Sequence, residues 1–264
     1  MYNFNYHRPS SLADAAKTVT SAEEGKLVAG GMTLIPTLKQ RLAKPSDLVD
    51  LGSIAELKGI KKEGDAVVIG ALTTHAEVAS STLVKQAIPA LAALAESIGD
   101  RQVRNRGTIG GSIAHNDPAA DYPAAVLGLG ATVHTNKRKI AADDFFKGMY
   151  ETALAADEII TAVSFPVPKK AAYVKFPQPA SRFALVGVLV AQTGGGVRVA
   201  VTGAASHVHR AKALEDVLAK NFTAEAAKAV KIPAANLSSD LHGSAEYRAH
   251  LIPVLAARAV GAAH

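Results

Sequence analysis

Ala29-Gly30-Gly31-Met32-Thr33 and Thr108-Ile109-Gly110-Gly111-Ser112 are two diglycine turns in one chain, each interpreted as a turn between a strand and a helix. A phosphate requires backbone N–H donors that converge on it, and glycine, which has no Cβ, lets the backbone approach. A helix N-terminus after the turn adds partial positive charge. Either turn alone is equally an ordinary tight turn. Together they favour a ligand with two phosphates, which suggests a dinucleotide.

Other nucleotide-binding patterns are absent. Gly128-Leu129-Gly130 has no third glycine at Val133, and no GxxxxGK[ST] stretch occurs. These absences disfavour a GxGxxG dehydrogenase and a P-loop nucleoside triphosphatase. Short hydroxyls at Thr33, Thr108 and Ser112 add further groups able to reach phosphate oxygens.

Composition limits the other classes. The chain has 264 residues, 48% of them hydrophobic, and a net charge of +6, so a substantial core is expected. Its longest apolar run, 183–191, is too short to span a bilayer, and 1–11 lacks the apolar region of a secretory signal. We therefore expect a cytoplasmic protein without a membrane span. The basic clusters at 137–139 and 169–170 lack interleaved aromatic residues, so nucleic acid binding is not expected.

Cysteine is absent from the chain. Disulfides, cysteine-ligated iron–sulfur clusters and a cysteinyl-linked flavin are thereby excluded from this polypeptide. Redox chemistry here would require a bound organic cofactor or a neighbouring subunit.

The hydrophobic pattern predicts an α+β protein in three parts. In the first part, strands at 26–29 and 47–50 alternate with helices that begin near Ser11 and Thr33. The second part, from about Ile60, contains a helix at 88–98 and ends with a strand at 158–165. In the third part, strands at 183–192 and 197–204 form a hairpin, and helices at 210–220 and 245–260 cover one side of it. Gly261 is expected to end the last helix.

Several polar residues near the second turn have two interpretations each. The arginines 101, 104 and 106 either neutralise phosphate or pair with Asp100, Asp117 or Asp121. Asp121 either accepts hydrogen bonds from sugar hydroxyls or is an ordinary loop acid. His115 is either a cofactor contact or a loop histidine, and His207 with His209 forms an HxH pair that lacks an obvious third metal ligand.

Five longer stretches of the sequence are VAGGMTLIP, QVRNRGTIGGSIAHNDPAADYP, DEIITAVSFP, AYVKFPQPASRFALVGV and AEYRAHLIPVLAARAV. Together they resemble the FAD-binding medium subunit of molybdenum hydroxylases. The nearest likeness is to the carbon monoxide dehydrogenase medium chain, and the flavin domain of xanthine dehydrogenase is more distant. The stretches follow one another in family order over essentially the whole chain.

The resemblance implies a fold of the vanillyl-alcohol-oxidase and p-cresol-methylhydroxylase type. Residues 1–55 and 56–170 would form two FAD-binding subdomains, and 171–264 a C-terminal α+β domain. It also implies non-covalent FAD in a complex, a dimer of heterotrimers, with a small [2Fe–2S] subunit and a large molybdopterin subunit. Electrons would pass from the clusters through FAD to an external acceptor such as quinone or NAD.

The family motif implies a set of FAD contacts on both turns and beyond them. The pyrophosphate contacts are Leu27, Val28, Ala29, Gly30, Gly31, Met32, Thr33, Leu34, Thr108, Ile109, Gly110, Gly111 and Ser112. Asp121 would touch the sugar chain, Ile160 would pack near the isoalloxazine ring, and Lys175 would make a polar contact to that ring. No catalytic acid or base and no metal ligand is expected on this chain.

Two other functions fit the same residues. One is a self-sufficient FAD-dependent oxidase or reductase of the same fold, and the other is a non-catalytic nucleotide-binding or assembly module. The substrate of the complex is not readable here, because it would be selected at the molybdenum centre on another chain.

Overall fold

The computed structural model describes all 264 residues, which form three sheets, a short hairpin and twelve α-helices. The strands are β1 Asn5–His7, β2 Gly25–Val28, β3 Asp47–Asp50, β4 Ile60–Glu63, β5 Ala66–Gly70, β6 Thr132–Thr135, β7 Lys139–Ala141, β8 Phe146–Gly148, β9 Glu151–Thr152, β10 Ile160–Pro166, β11 Lys170–Pro177, β12 Ala184–Thr193, β13 Gly196–Thr202 and β14 His209–Arg210. The helices are α1 Leu12–Ser21, α2 Leu34–Lys39, α3 His75–Ser80, α4 Thr82–Ala87, α5 Pro89–Glu96, α6 Arg101–Arg106, α7 Ile109–His115, α8 Tyr122–Gly128, α9 Ala142–Phe145, α10 Lys212–Lys220, α11 Ala224–Lys228 and α12 Ala245–Ala262.

The first sheet is small and parallel, in the order β1-β3-β2. Helix α1 begins at its N-cap Ser11, whose hydroxyl accepts a hydrogen bond from the Asp14 N–H, and buries Ala15 and Val19 against the sheet. The first diglycine turn follows β2 and leads into α2. The turn therefore lies at the carboxyl end of β2, an edge strand of this parallel sheet.

The second sheet is antiparallel, in the order β4-β5-β10-β6-β7. Helices α3, α5, α7 and α8 supply apolar residues to its core, including the fully buried Leu91, Ile109 and Ile113. The second diglycine turn opens α7, so its position is determined by this core.

The third sheet, β11-β12-β13-β14, is buried on both faces. Leu189 and Ala200 pack with α8 in the core of the second sheet, whereas Val188 and Val201 pack with α10 and α12. The sequence predicts helices on one side only. The second covered face explains why β12 is an almost continuous apolar run rather than an alternating one.

Two local predictions are wrong: the end of the last helix at Gly261 and the strand before the second diglycine turn. Helix α12 continues through Gly261 to Ala262, because a glycine at the exposed end of a helix has nothing to pack against and does not itself force an ending. The arginine-rich stretch before the second turn is a helix, α6, whose N-cap Asp100 accepts from the Val103 N–H. A helix and Gly107, not a strand, therefore precede the second turn.

None of the helices is both long and apolar enough to cross a membrane.

Candidate functional site

A cavity of about 570 Å³ lies between the first two sheets and reaches the start of the third. This volume is within the range of small-molecule and cofactor sites. Both diglycine turns contribute to its wall. Apolar side chains complete it: Leu27, Leu51, Leu72, Ile98, Val103, Leu154, Ile159, Ile160 and Phe183.

The first turn lies in the cavity wall and has free backbone donors. The N–H groups of Gly30, Gly31, Met32, Thr33 and Leu34 have no acceptor in the protein, and these residues line the cavity. The Thr33 hydroxyl makes no capping hydrogen bond either. Gly31 has a φ of +74°, a conformation that side chains disfavour. A consecutive series of free N–H groups in such a turn is an anion-binding concavity.

The second turn has a different role, because its N–H groups are already used. Ile109 donates to the Thr73 carbonyl at 3.1 Å and Gly110 to the Ala71 carbonyl at 2.9 Å. Gly111 donates to Thr108 Oγ1 at 3.2 Å. The Ser112 N–H donates to the Thr108 carbonyl, so this turn can offer the ligand the Thr108 and Ser112 hydroxyls and a bare surface, but no unpaired N–H group from Ile109 to Ser112.

The glycines of the two turns meet different surroundings. A Cβ on Gly30 would lie 1.9 Å from the Arg106 carbonyl oxygen, and one on Gly110 would lie 2.6 Å from the Ala71 Cβ. Both glycines are thus required for the packing of backbone on backbone. A Cβ on Gly111 would meet only Thr108 Oγ1, at 3.0 Å, and Ala29 Cβ, at 3.9 Å. Gly111 therefore leaves open space on its cavity side, between the two turns.

Three carboxylates line the cavity. Asp117 accepts a hydrogen bond from the Ala119 N–H at 2.8 Å. Glu158, whose side chain is 1% exposed, is bound by Arg138, Thr135 and the Ala155 N–H, and the Arg138 hydrogen bond is the main cause that lowers its pKa to about 2. Because both of its oxygens are engaged, Glu158 primarily fixes the wall of the site.

The third carboxylate, Asp121, is 5% exposed and held from the third sheet. Its oxygens accept from Tyr173 Oη at 2.5 Å and Lys175 Nζ at 3.1 Å. Burial raises the pKa of Asp121, whereas the charge and hydrogen bond of Lys175 and the hydrogen bond of Tyr173 act in the opposite direction. Burial has the larger effect, so the net pKa of Asp121 is raised, and Lys175 offsets only part of the cost of burying this carboxylate.

His75 is a cavity residue that the sequence gave no reason to select. It opens α3, where Thr74 and Glu77 form a reciprocal cap, and its ring packs against that of Tyr122 at a tilt of 50°, with centroids 5.2 Å apart. Burial, followed by the charge of Arg104, lowers its pKa to about 4, so the imidazole is neutral at neutral pH. Its Nδ1 and the Tyr122 hydroxyl have no hydrogen-bond partner.

Most of the predicted contact residues lie together in the cavity wall. Leu27 to Leu34, Thr108, Gly110, Gly111, Ser112, Asp121 and Ile160 all line it. Ile109 does not, because its side chain is fully buried in the core below α7. Lys175 does not line it either: its ammonium donates to Asp121 and, at 2.9 Å, to the Ser97 carbonyl. Direct ligand contacts of these residues remain predictions.

The residues that had two interpretations differ in whether they line the cavity. Arg104 donates to the Ile98 and Gly99 carbonyls, whereas Arg101 and Arg106 are exposed, and none of the three lines the cavity. His115 does line it, and its ring packs at a tilt against that of Tyr150. No group of three potential metal ligands occurs around His207 and His209 or elsewhere.

Comparison with known protein families identifies two matching models that together span almost the whole chain. Residues 2–168 match the FAD binding domain in molybdopterin dehydrogenase, and residues 171–263 match the CO dehydrogenase flavoprotein C-terminal domain. The chain belongs to the molybdopterin dehydrogenase FAD-binding family. The predicted resemblance and the predicted FAD cofactor are thereby confirmed, and the family is one of oxidoreductase subunits.

Curated members of this family are similar over nearly their full length. The nicotine 6-hydroxylase medium subunit of Paenarthrobacter nicotinovorans is 38% identical over 97% of this chain and 95% of its own. The carbon monoxide dehydrogenase medium chain of Hydrogenophaga pseudoflava is 36% identical over 98% of this chain and 96% of its own. Their names refer to enzymes with different substrates, so members of one family occur in enzymes of different specificity.

Solved structures of the family have the same mixed helix and sheet architecture. A chain of the Hydrogenophaga pseudoflava carbon monoxide dehydrogenase superposes with a TM-score of 0.88 at 36% identity, covering 99% of this chain and 97% of the other. A chain of quinoline 2-oxidoreductase from Pseudomonas putida 86 gives 0.89 at 30% identity, covering 99% and 96%.

Proposed function

We propose that this chain is the FAD-binding electron-transfer subunit of a molybdenum hydroxylase complex of the carbon monoxide dehydrogenase type. The observation that carries the proposal is the series of unpaired N–H groups from Gly30 to Leu34 at the cavity wall. These donors, together with the space beside Gly111, suit the pyrophosphate of FAD. We further infer that the fold is of the vanillyl-alcohol-oxidase and p-cresol-methylhydroxylase type and that FAD is held without a covalent bond.

The donors of the two turns would act together on the pyrophosphate. The first turn supplies N–H groups and the Thr33 hydroxyl, and the second supplies the hydroxyls of Thr108 and Ser112. Each hydrogen bond to a charged oxygen contributes about 1.5–3 kcal/mol. The apolar wall, which includes Leu72, Ile98 and Phe183, would exclude water from the aromatic parts of FAD.

Bound FAD would supply the redox chemistry, exchanging electrons with iron–sulfur clusters on one side and with an external acceptor such as quinone or NAD on the other. The residues of this chain hold and shield the cofactor. In the wall, Glu158 is fully engaged by Arg138 and its neighbours, and His75 is neutral. Positioning and electrostatic tuning are therefore the tasks that the chain's own residues fit.

The expected partners are a small [2Fe–2S] subunit and a large molybdopterin subunit. The lack of cysteine in this chain agrees with clusters on another polypeptide. Relatives of this chain are named as subunits of a nicotine 6-hydroxylase and of a carbon monoxide dehydrogenase. We therefore expect the substrate to be selected by the large subunit and not by this chain. We expect the assembly to be a cytoplasmic dimer of heterotrimers.

Affinity purification of the tagged chain from its native host tests this proposal. We expect two co-purifying subunits, flavin absorption bands, and iron and molybdenum in the complex. A chain that binds FAD but purifies alone and oxidises a small alcohol or NADPH would instead be a self-sufficient flavoenzyme. A chain that shows no flavin bands after reconstitution with FAD would contradict the cofactor assignment.

A further inference from the structure

The carboxylate of Asp121 is held by two side chains of a different domain. Asp121 lies just before α8, in the part of the chain that matches the FAD-binding domain, whereas Tyr173 and Lys175 lie on β11, in the C-terminal domain. Residues two apart on a strand point to the same face. Both donors therefore reach across the domain boundary to a single carboxylate that lines the cavity.

The two donors are not equivalent. Lys175 supplies the opposite charge, and its ammonium is shared with the Ser97 carbonyl. Tyr173 supplies a neutral hydroxyl 2.5 Å from Asp121 Oδ1, and this is its only side-chain hydrogen bond. The charge is thus already balanced by Lys175. The hydroxyl of Tyr173 fixes the rotation of the carboxylate.

The opposing strand leaves room for this hydroxyl. Gly187 on β12 pairs with Lys175, and a Cβ on Gly187 would lie 2.3 Å from Tyr173 Oη. A side chain there would push the phenol away from Asp121. The absence of a Cβ at Gly187 therefore leaves the space in which Tyr173 Oη reaches Asp121.

An ionised carboxylate offers about four acceptor positions. Tyr173 and Lys175 each occupy one, and Asp121 makes no capping hydrogen bond to α8. Further acceptor positions remain for a donor in the cavity. A hydroxyl or N–H group of a bound ligand is the chemistry that they fit.

We propose that Tyr173 is a positioning residue for FAD, which acts through Asp121 from the C-terminal domain. The inference rests on the proposed function, since FAD must be the ligand of the cavity. Tyr173 does not line the cavity, so its effect on the ligand passes through the carboxylate.

A double-mutant cycle on the full chain, measured by FAD titration, tests the proposal. Tyr173→Phe keeps the ring and removes one hydrogen bond to a charged group, so we expect the Kd for FAD to rise about tenfold. In the Asp121→Asn background the same change is expected to alter Kd by less than about twofold, because the two residues act as one unit. The visible circular dichroism of saturated FAD should change alike in both single variants.

Gly187→Ala is a second route to the same contact. It retains Tyr173 and displaces its hydroxyl, although a Cβ there also lies 2.9 Å from Thr202 Cγ2. It should raise Kd, and the rise should be lost in the Asp121→Asn background if it passes through Tyr173, whereas an effect of the displaced Thr202 would persist there. Tyr247→Phe is the matched control, because Tyr247 is 41% exposed on α12 and its hydroxyl makes no hydrogen bond. We expect it to leave both Kd and dichroism unchanged.

The outcomes separate the two proposals. Additive effects of Tyr173→Phe and Asp121→Asn, or an unchanged Kd in folded Tyr173→Phe and Gly187→Ala, would overturn the positioning role. If Tyr173→Phe fails to fold, the Gly187→Ala cycle decides. A wild-type chain that does not bind FAD at all would instead overturn the proposed function.

Discussion

Gly111 is the glycine whose missing side chain leaves space for a ligand rather than for the protein backbone. Gly30 and Gly110 are packed against backbone or Cβ atoms, whereas Gly111 faces the gap between the turns. We therefore expect Gly111 to be needed for ligand binding, and Gly30 and Gly110 to be needed for folding.

Gly111→Val is expected to weaken FAD binding and to leave the fold intact. Its side chain would occupy the phosphate space and remove at least two hydrogen bonds, which corresponds to about 3 kcal/mol or about 100-fold in Kd. Flavin fluorescence titration measures the change. Gly261→Val is the control, since it also lies in a helix and a Cβ there meets nothing within 4 Å. Equal affinities of the two variants would contradict the role of Gly111.

Glu158 is expected to stabilise the protein in a pH-dependent way. Its folded pKa, about 2, is below the ordinary value of 4.5, so its contribution is present above pH 4.5 and is lost as the pH falls toward 2. Glu158→Gln should therefore lower the free energy of unfolding by about 2 kcal/mol at pH 7. Urea unfolding at several pH values measures this. A difference from wild type that does not shrink below pH 4.5 would refute the ionic role.

At the scale of elements, α12 is attached to the third sheet by a buried arginine. Arg248 is 3% exposed and donates to the Leu185 and Gly203 carbonyls, each at 2.7 Å, and to Asp240. The arginine therefore joins α12 to β12 and to the residue that follows β13.

Arg248→Met is expected to destabilise the chain by about 3 kcal/mol, because it leaves two buried carbonyls unpaired. Arg258→Met on the same helix should change stability by less than about 0.5 kcal/mol, since Arg258 is exposed and forms no ion pair. Thermal unfolding of both variants gives the comparison. Similar midpoints for the two would show that Arg248 is not the attachment point.

At the scale of the whole molecule, the FAD-binding part and the C-terminal domain share one core and one site. Leu189 and Ala200 of the third sheet lie in the core of the second, and Phe183 contributes to the cavity wall. An ion pair of Arg198 with Asp143 adds a polar contact between them. Ligand binding is therefore linked to the stability of both.

Free FAD at about 100 times its Kd should stabilise the whole chain by about 2.7 kcal/mol. We expect one unfolding transition that shifts upward as a unit in scanning calorimetry. FMN, which lacks the second phosphate and the adenosine, should give a smaller shift. Two transitions, only one of which responds to FAD, would contradict this coupling.

The sequence alone determined the α+β class, the β12–β13 hairpin, the first diglycine turn and the family. These features depend on local signals: hydrophobic period, turn residues and short motifs. The second diglycine, predicted as a turn, lies in the first turn of α7. Tertiary structure decided which donors are free. The N–H groups of Ile109 and Gly110 donate to carbonyls of the 71–73 segment, which is far away in sequence, so they are not available to a ligand. It also directed Lys175 to Asp121 and brought His75 and Phe183 into the wall, because a group's availability depends on the non-local partners that packing places beside it.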